Sequence, residues 1–220
     1  LDIGGPVEAD NNLWTYRFTG LVRNGGTQID YTRNDRIYVA PALTWQPDDG
    51  TSLTILANYQ SDRMMPGYSV PVPGMSGYTG PDVSRDFFTG SRGFDRFDAR
   101  HGSLGYQFSH ETDNNWTIRQ NVRYARQETD YRQLYFGDYD SSKAVLPDGH
   151  TIARTAYTVN ETAWMFNIDN QAQYDASNDV IENKFLVGLD YSRWNVDGVN
   201  RYGPGPNLDI LDPDFSARVR

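Results

Sequence analysis

Cysteine is absent from all 220 residues, which excludes a disulfide framework, a thiolate metal site and a cysteine nucleophile and leaves the redox compartment open. A basic tract is missing as well. Twenty Lys and Arg stand against 29 Asp and Glu, for a net charge of -9 and a pI near 4.7, so nucleic acid is excluded as a partner, because its phosphates need a basic surface. No apolar run reaches the length of a transmembrane helix, and "LDIGGPVEAD" lacks the basic start and apolar stretch of a signal peptide. That excludes helical spans only. Aliphatic residues are scarce too: 38% of residues are hydrophobic and the mean hydropathy is -0.69, an unpromising basis for a large buried core at this length. Leu1 falls inside a strand-like stretch and the closing "LDPDFSARVR" reads as a loop, so the chain is expected to be a piece of something longer.

Aromatic residues, in contrast, are plentiful, with 15 Tyr, 10 Phe and 5 Trp. Most sit in segments that alternate with period two, the signature of strands with one apolar and one polar face. In "WTIRQNVRYA", Trp116, Ile118, Gln120, Val122 and Tyr124 share one face, and Thr117, Arg119, Asn121, Arg123 and Ala125 the other. The same pattern recurs around Trp14 to Val22, Ile37 to Gln46, Leu53 to Gln60, Ser103 to Ser109, Trp164 to Tyr174 and Glu182 to Ser192, with a partial strand over Leu1 to Val7. Leu56 is an exception to its alternation.

The connections are unequal. Tight-turn signals rich in Asp, Asn and Gly occur at 8-12, 47-50, 112-115 and 176-179, and they alternate with long connections at 24-35, 64-98, 133-151 and 200-220. Short turns at one end and long loops at the other predict an antiparallel transmembrane β-barrel in an outer membrane, with the long loops outside. Trp14, Trp45 and Trp116 each lie near a short turn on the apolar face, as an interfacial girdle requires. From Trp116 to Tyr124, eight residues at ~3.3 Å each and a tilt near ~40° give roughly 20 Å, close to the ~25 Å apolar band of such barrels. The apolar row would then touch lipid, and Arg119, Arg123, Asp169, Glu182, Lys184 and Asp190 would form a polar network facing the interior.

"APALTWQPDDGTSLTILANYQSD", "FDRFDARHGSLGYQFSHETDNNWTIRQNVRYARQETDYRQLYF" and "DNQAQYDASNDVIENKFLVGLDYSRW" closely resemble the barrel of TonB-dependent siderophore receptors, especially the ferrichrome-receptor-like branch. The resemblance covers nearly the whole chain. It implies that residues 1-220 are part of a 22-strand barrel domain, about eight strands of it, without the N-terminal plug, the segment that engages TonB, or the C-terminal strands. It also implies a multi-pass protein of the Gram-negative outer membrane, in contact with its lipid, that takes up an iron(III)-siderophore of hydroxamate type with energy from TonB and performs no bond chemistry.

A siderophore already saturates its iron, so such a receptor needs neither a metal ligand nor a cofactor and recognises a compact organic surface by stacking and a few hydrogen bonds. The resemblance marks Tyr135 as a siderophore-contacting tyrosine, with Phe136 and Tyr139 beside it, and places Tyr68 in a loop that carries vestibule aromatics. A second tyrosine of the family falls on Gly137, and Ser69 and Pro71 stand where the ferrichrome branch has further aromatics. For each of these four aromatics, packing within the loops or a girdle role stands beside ligand contact. Asp138, Asp140 and Ser142 have calcium-loop spacing but lack the glycine and glutamate of that motif. His101, His110 and His150 are scattered. An outer-membrane barrel protease or phospholipase would need a Ser/His or Asp/His set near one rim, and a soluble β-sheet binding module would need a second layer; these are the competing readings.

Overall fold

The computed structural model describes residues 1-8, 11-65, 76-139, 143-177 and 180-219, and the side chains of residues 11 and 12 are left aside. Eight long strands follow one another: β1 (Asp2–Glu8), β2 (Asn11–Arg23), β3 (Asn34–Asp48), β4 (Thr51–Met64), β5 (Arg96–Glu111), β6 (Trp116–Phe136), β8 (Arg154–Ser177) and β9 (Glu182–Pro204). Between and after the last of them, β7 (Thr151–Ile152) and β10 (Leu208–Asp209) pair as a two-residue ribbon. Aromatic and β-branched residues at every second position favour the pleated conformation. Local polar chemistry ends the strands. Asp48 Oδ1 accepts from the Gly50 amide at 2.9 Å, and Asn115 takes a left-handed φ of 63°, which asparagine tolerates in a turn.

Every neighbouring pair is antiparallel, in the order β1-β2-β3-β4-β5-β6-β8-β9. The ladder between β6 and β8 runs without a register shift from Trp116 opposite Tyr174 to Phe136 opposite Arg154. Residues opposite each other share a face, so the register sorts the sheet into two surfaces. On one, Trp14 meets Trp45 with ring centroids 6.2 Å apart, Ile55 meets Tyr106, and Tyr124 meets Phe166. This surface is open to solvent, with Leu104 59% and Ile37 51% exposed. On the other, Arg36 Nε binds Asp62 Oδ1 at 2.6 Å, Asn58 Nδ2 donates to Ser103 Oγ at 2.9 Å and Asn121 Nδ2 to Asp169 Oδ2 at 3.2 Å.

The described core lies beyond one end of the sheet, where the long connections meet. Tyr78, Ile152, Leu208 and Ile210 are buried together, with Val83, Phe87, Phe136, Val145 and Phe215 against them. Beside this cluster, Tyr31 contacts the rings of Phe88 and Phe215 at 5.9 and 5.4 Å, and the Arg92 guanidinium lies 4.7 Å from the Tyr31 ring centroid. Three connections that are far apart in sequence thus pack into one cover.

The structure corrects the expected architecture. The all-β antiparallel arrangement is present, but among the described residues the sheet is open: β1 pairs only with β2 and β9 only with β8. The transmembrane barrel, the assignment of the chain to a barrel domain and the multi-pass placement in the outer membrane therefore do not follow from this fold. The physical reason is one of range. Alternation is produced by any two-faced antiparallel sheet, open or closed, and the connections report only which end of the sheet they join, whereas closure is a pairing between the first and last strands, which no local pattern reports.

Candidate functional site

Beyond Tyr124, the polar face of β6 changes character. Gln127 and Thr129 are followed, still at period two, by Tyr131, Gln133 and Tyr135. Register then assembles what the sequence scatters: Tyr131 stands opposite Phe97 of β5 and Val159 of β8, while Tyr157 of β8 stands opposite Gln133 on one side and Tyr202 of β9 on the other. Five rings share one surface. Tyr157 is their centre, with ring centroids 5.9 Å from Tyr131, 5.9 Å from Tyr135 and 4.3 Å from Tyr202, the last in a near-parallel stack. Phe97 packs edge-on to Tyr131 at 5.9 Å. The hydroxyls of Tyr131 and Tyr135 are 2.6 Å apart, and that of Tyr131 also donates to Gln133 Oε1. Burial, and after it the neighbouring Tyr202 phenol, hold the Tyr157 hydroxyl above the ordinary tyrosine range. The patch is therefore a neutral, hydroxyl-bearing aromatic surface. It suits stacking and hydrogen bonding to a compact organic ligand.

The four aromatics singled out in the sequence are placed differently from one another. Tyr135 belongs to this patch. Phe136, one residue on, points to the opposite face and packs against the buried cluster of Tyr78, Ile152, Leu208 and Ile210. Tyr139 is about half exposed in the connection after β6. Tyr68 lies outside the described residues, as do Asp140 and Ser142 of the calcium-like spacing. Gly137 has a φ of 111°, a region that disfavours any side chain, so this backbone holds no tyrosine there without strain. Tyr131, Tyr157, Tyr202 and Phe97 escaped sequence reading. Tyr131 carried one signal, an aromatic four residues before Tyr135 on a row that is otherwise polar.

Two of the histidines are engaged in structural contacts. His110 Nδ1 lies 2.9 Å from Thr51 Oγ1, and His150 Nδ1 lies 3.0 Å from Asp209 Oδ1, tying the β7 and β10 segments together. Hydrogen bonds from the Thr151 hydroxyl and amide hold the Asp148 carboxyl down at about 2. Among the described residues no group of three or more His, Asp or Glu is arranged to hold a metal ion.

Comparison with known proteins places this geometry in context. No family model matches the chain. A ferrioxamine receptor of Yersinia enterocolitica is 33% identical over 189 residues, covering 86% of this chain and 26% of that protein. A ferrioxamine B receptor of Salmonella typhimurium is 28% identical over 219 residues, 99% of this chain and 30% of its own length. The ferrichrome outer membrane transporter/phage receptor of Escherichia coli is 27% identical over 236 residues, 95% and 31% respectively. The chain thus spans between a quarter and a third of these relatives. Among solved structures, the ferric-catecholate import receptor Fiu of E. coli K12 in its closed form superposes with a TM-score of 0.79 at 18% identity, over 99% of this chain and 32% of that one. The siderophore receptor PiuA of Acinetobacter baumannii gives 0.73 at 19% identity, over 90% and 28%. These structural likenesses speak to the fold alone. The sequence relatives, which are named as receptors and transporters rather than enzymes, relate the chain at the family level to the TonB-dependent siderophore receptors, a non-catalytic family.

Proposed function

We propose that the chain is part of an outer-membrane uptake receptor that binds a ferric siderophore of hydroxamate type from outside and passes it inward with energy supplied through TonB. The observation that carries this reading is the patch formed by Phe97, Tyr131, Tyr135, Tyr157 and Tyr202 at the end of the sheet where the long connections meet. A chelated iron presents organic ligand atoms, so a binding surface for it is made of rings and hydroxyls, and the patch consists of these. The relatives named for ferrioxamine and ferrichrome support the substrate class.

The test uses the full-length protein and iron-loaded ferrioxamine B and ferrichrome as probes, with binding read from quenching of tryptophan fluorescence. Tyr157→Ala removes the central ring, and Tyr135→Phe removes one hydroxyl but keeps the ring. The expected result is a loss of affinity of about 30-fold for Tyr157→Ala, the size of a buried aromatic anchor, and a several-fold loss for Tyr135→Phe, toward the same probe. Unchanged affinity in both variants would overturn the role given to the patch.

A further inference from the structure

Arg154, the first residue of β8, is 1% exposed, yet no carboxylate lies within ion-pair distance of it among the described residues. Its donors go to backbone carbonyls on two connections instead. Nη1 donates to Thr89 and Gly90 at 2.9 Å each, Nε to Pro206 at 2.6 Å and Nη2 to Asn207 at 3.3 Å. A guanidinium has the forked geometry to hold several carbonyls at once, which an ammonium lacks. Next to this junction sits a second buried charge-bearing group. Asp95, 2% exposed, accepts from the Leu134 amide through Oδ1 at 3.1 Å, while Oδ2 is buried without a partner. Gly90 separates the two groups: its carbonyl binds Arg154, and a Cβ there would fall 2.0 Å from Asp95 Oδ2.

We propose that Arg154 and Asp95 form a proton-responsive clasp, which fastens the connections 76-95 and 205-219 to the ends of β6 and β8 and loosens as the pH rises through neutrality. This goes beyond the binding of a siderophore and does not depend on it. A carboxyl with a buried, unpartnered oxygen is favoured in its neutral form. Burial raises Asp95 to about 7, against opposing backbone hydrogen bonds from Leu134 and Ser91 and the charge of Arg154. Burial likewise lowers Arg154, to about 10, with Asp95 and Asp214 opposing, so it stays charged at neutral pH. These are the charged groups that bear on the site: Arg154 from β8 and Asp214 from the last connection. Arg96, next in sequence, is committed to Asp130, and β6 offers the Leu134 amide. Because the closed-state value lies above that of an exposed carboxyl, the contribution of Asp95 to closure is full below about pH 4 and is lost as the pH rises through 7.

The absence of cysteine makes a direct test available. Thr89 is 1% exposed and its hydroxyl has no hydrogen-bond partner, so Thr89→Cys reports opening with little loss of contacts, while Leu211→Cys in a second variant of the full-length protein is an exposed reference. The ratio of the two maleimide-labelling rates cancels the intrinsic reactivity of the thiol. Between pH 5.5 and 8.5 linkage predicts a rise in that ratio of about 30-fold. Asp95→Asn, which mimics the neutral carboxyl, is expected to flatten the profile at the low-pH level. Arg154→Lys is expected to raise the ratio at both pH values. A flat profile with Asp95 present, a rise that survives Asp95→Asn, or no effect of Arg154→Lys would each overturn the clasp.

Discussion

At the residue scale, the departures from simple alternation are the informative positions. Gly137 closes β6 with a φ of 111°, and the Thr155 hydroxyl donates to its carbonyl at 2.8 Å. A side chain at that φ is strained, so Gly137→Ala is expected to lower the stability of the full-length protein by about 1–2 kcal/mol, read from its denaturation midpoint. A tyrosine, which the resembled family carries there, would meet the same strain on this backbone. Tyr135 and Phe136 are adjacent but are divided by the pleat between the aromatic patch and the buried cluster. A ligand-contact experiment on Phe136 would therefore read loop packing as well.

At the element scale, the β8–β9 ladder sets Asp169 directly opposite Asp190 on the polar face. Like charges at directly opposed positions repel, by a few tenths to about 1 kcal/mol. Asp190→Asn is expected to stabilise the protein by that amount, and in an Asp169→Asn background to bring no further gain; a double-mutant cycle in urea tests this. The strands themselves were legible from period-two alternation, and the observed connections at 24-33, 65-95 and 137-150 fall close to the expected ones. Their internal structure was not legible. The short β7–β10 ribbon and the packing of Tyr31, Phe88 and Phe215 depend on segments up to 184 positions apart in sequence, Tyr31 and Phe215 being the extreme pair.

At the scale of the whole molecule, the outer edges of β1 and β9 pair with no further strand among the described residues, and a row of apolar side chains from Trp14 to Tyr191 is exposed. Unpaired edges template further strand pairing, and an apolar surface of this extent is well beyond what soluble monomers usually show. The isolated 220-residue chain is therefore expected to aggregate in detergent-free buffer. Sedimentation or light scattering checks this, and a monodisperse monomer with a cooperative unfolding transition would contradict it.

What the sequence by itself determined is what depends on near neighbours: strands from alternation at Trp116 to Ala125, turns from Asp and Asn, the lack of thiol chemistry, and a family relation carried by continuous runs of residues. Tertiary structure decided the rest. Tyr157 becomes the centre of an aromatic patch only because β6 and β9 flank β8 in one particular register, and a shift of one residue would send its ring to the other face. Arg154 becomes a clasp only because carbonyls 64 and 65 positions earlier and 52 and 53 positions later fold around it. Carbonyls are common to every residue, so a site built from them leaves no trace in composition or spacing. Whether a sheet stays open or closes likewise depends on its first and last strands meeting, a long-range relation to which local patterning is blind.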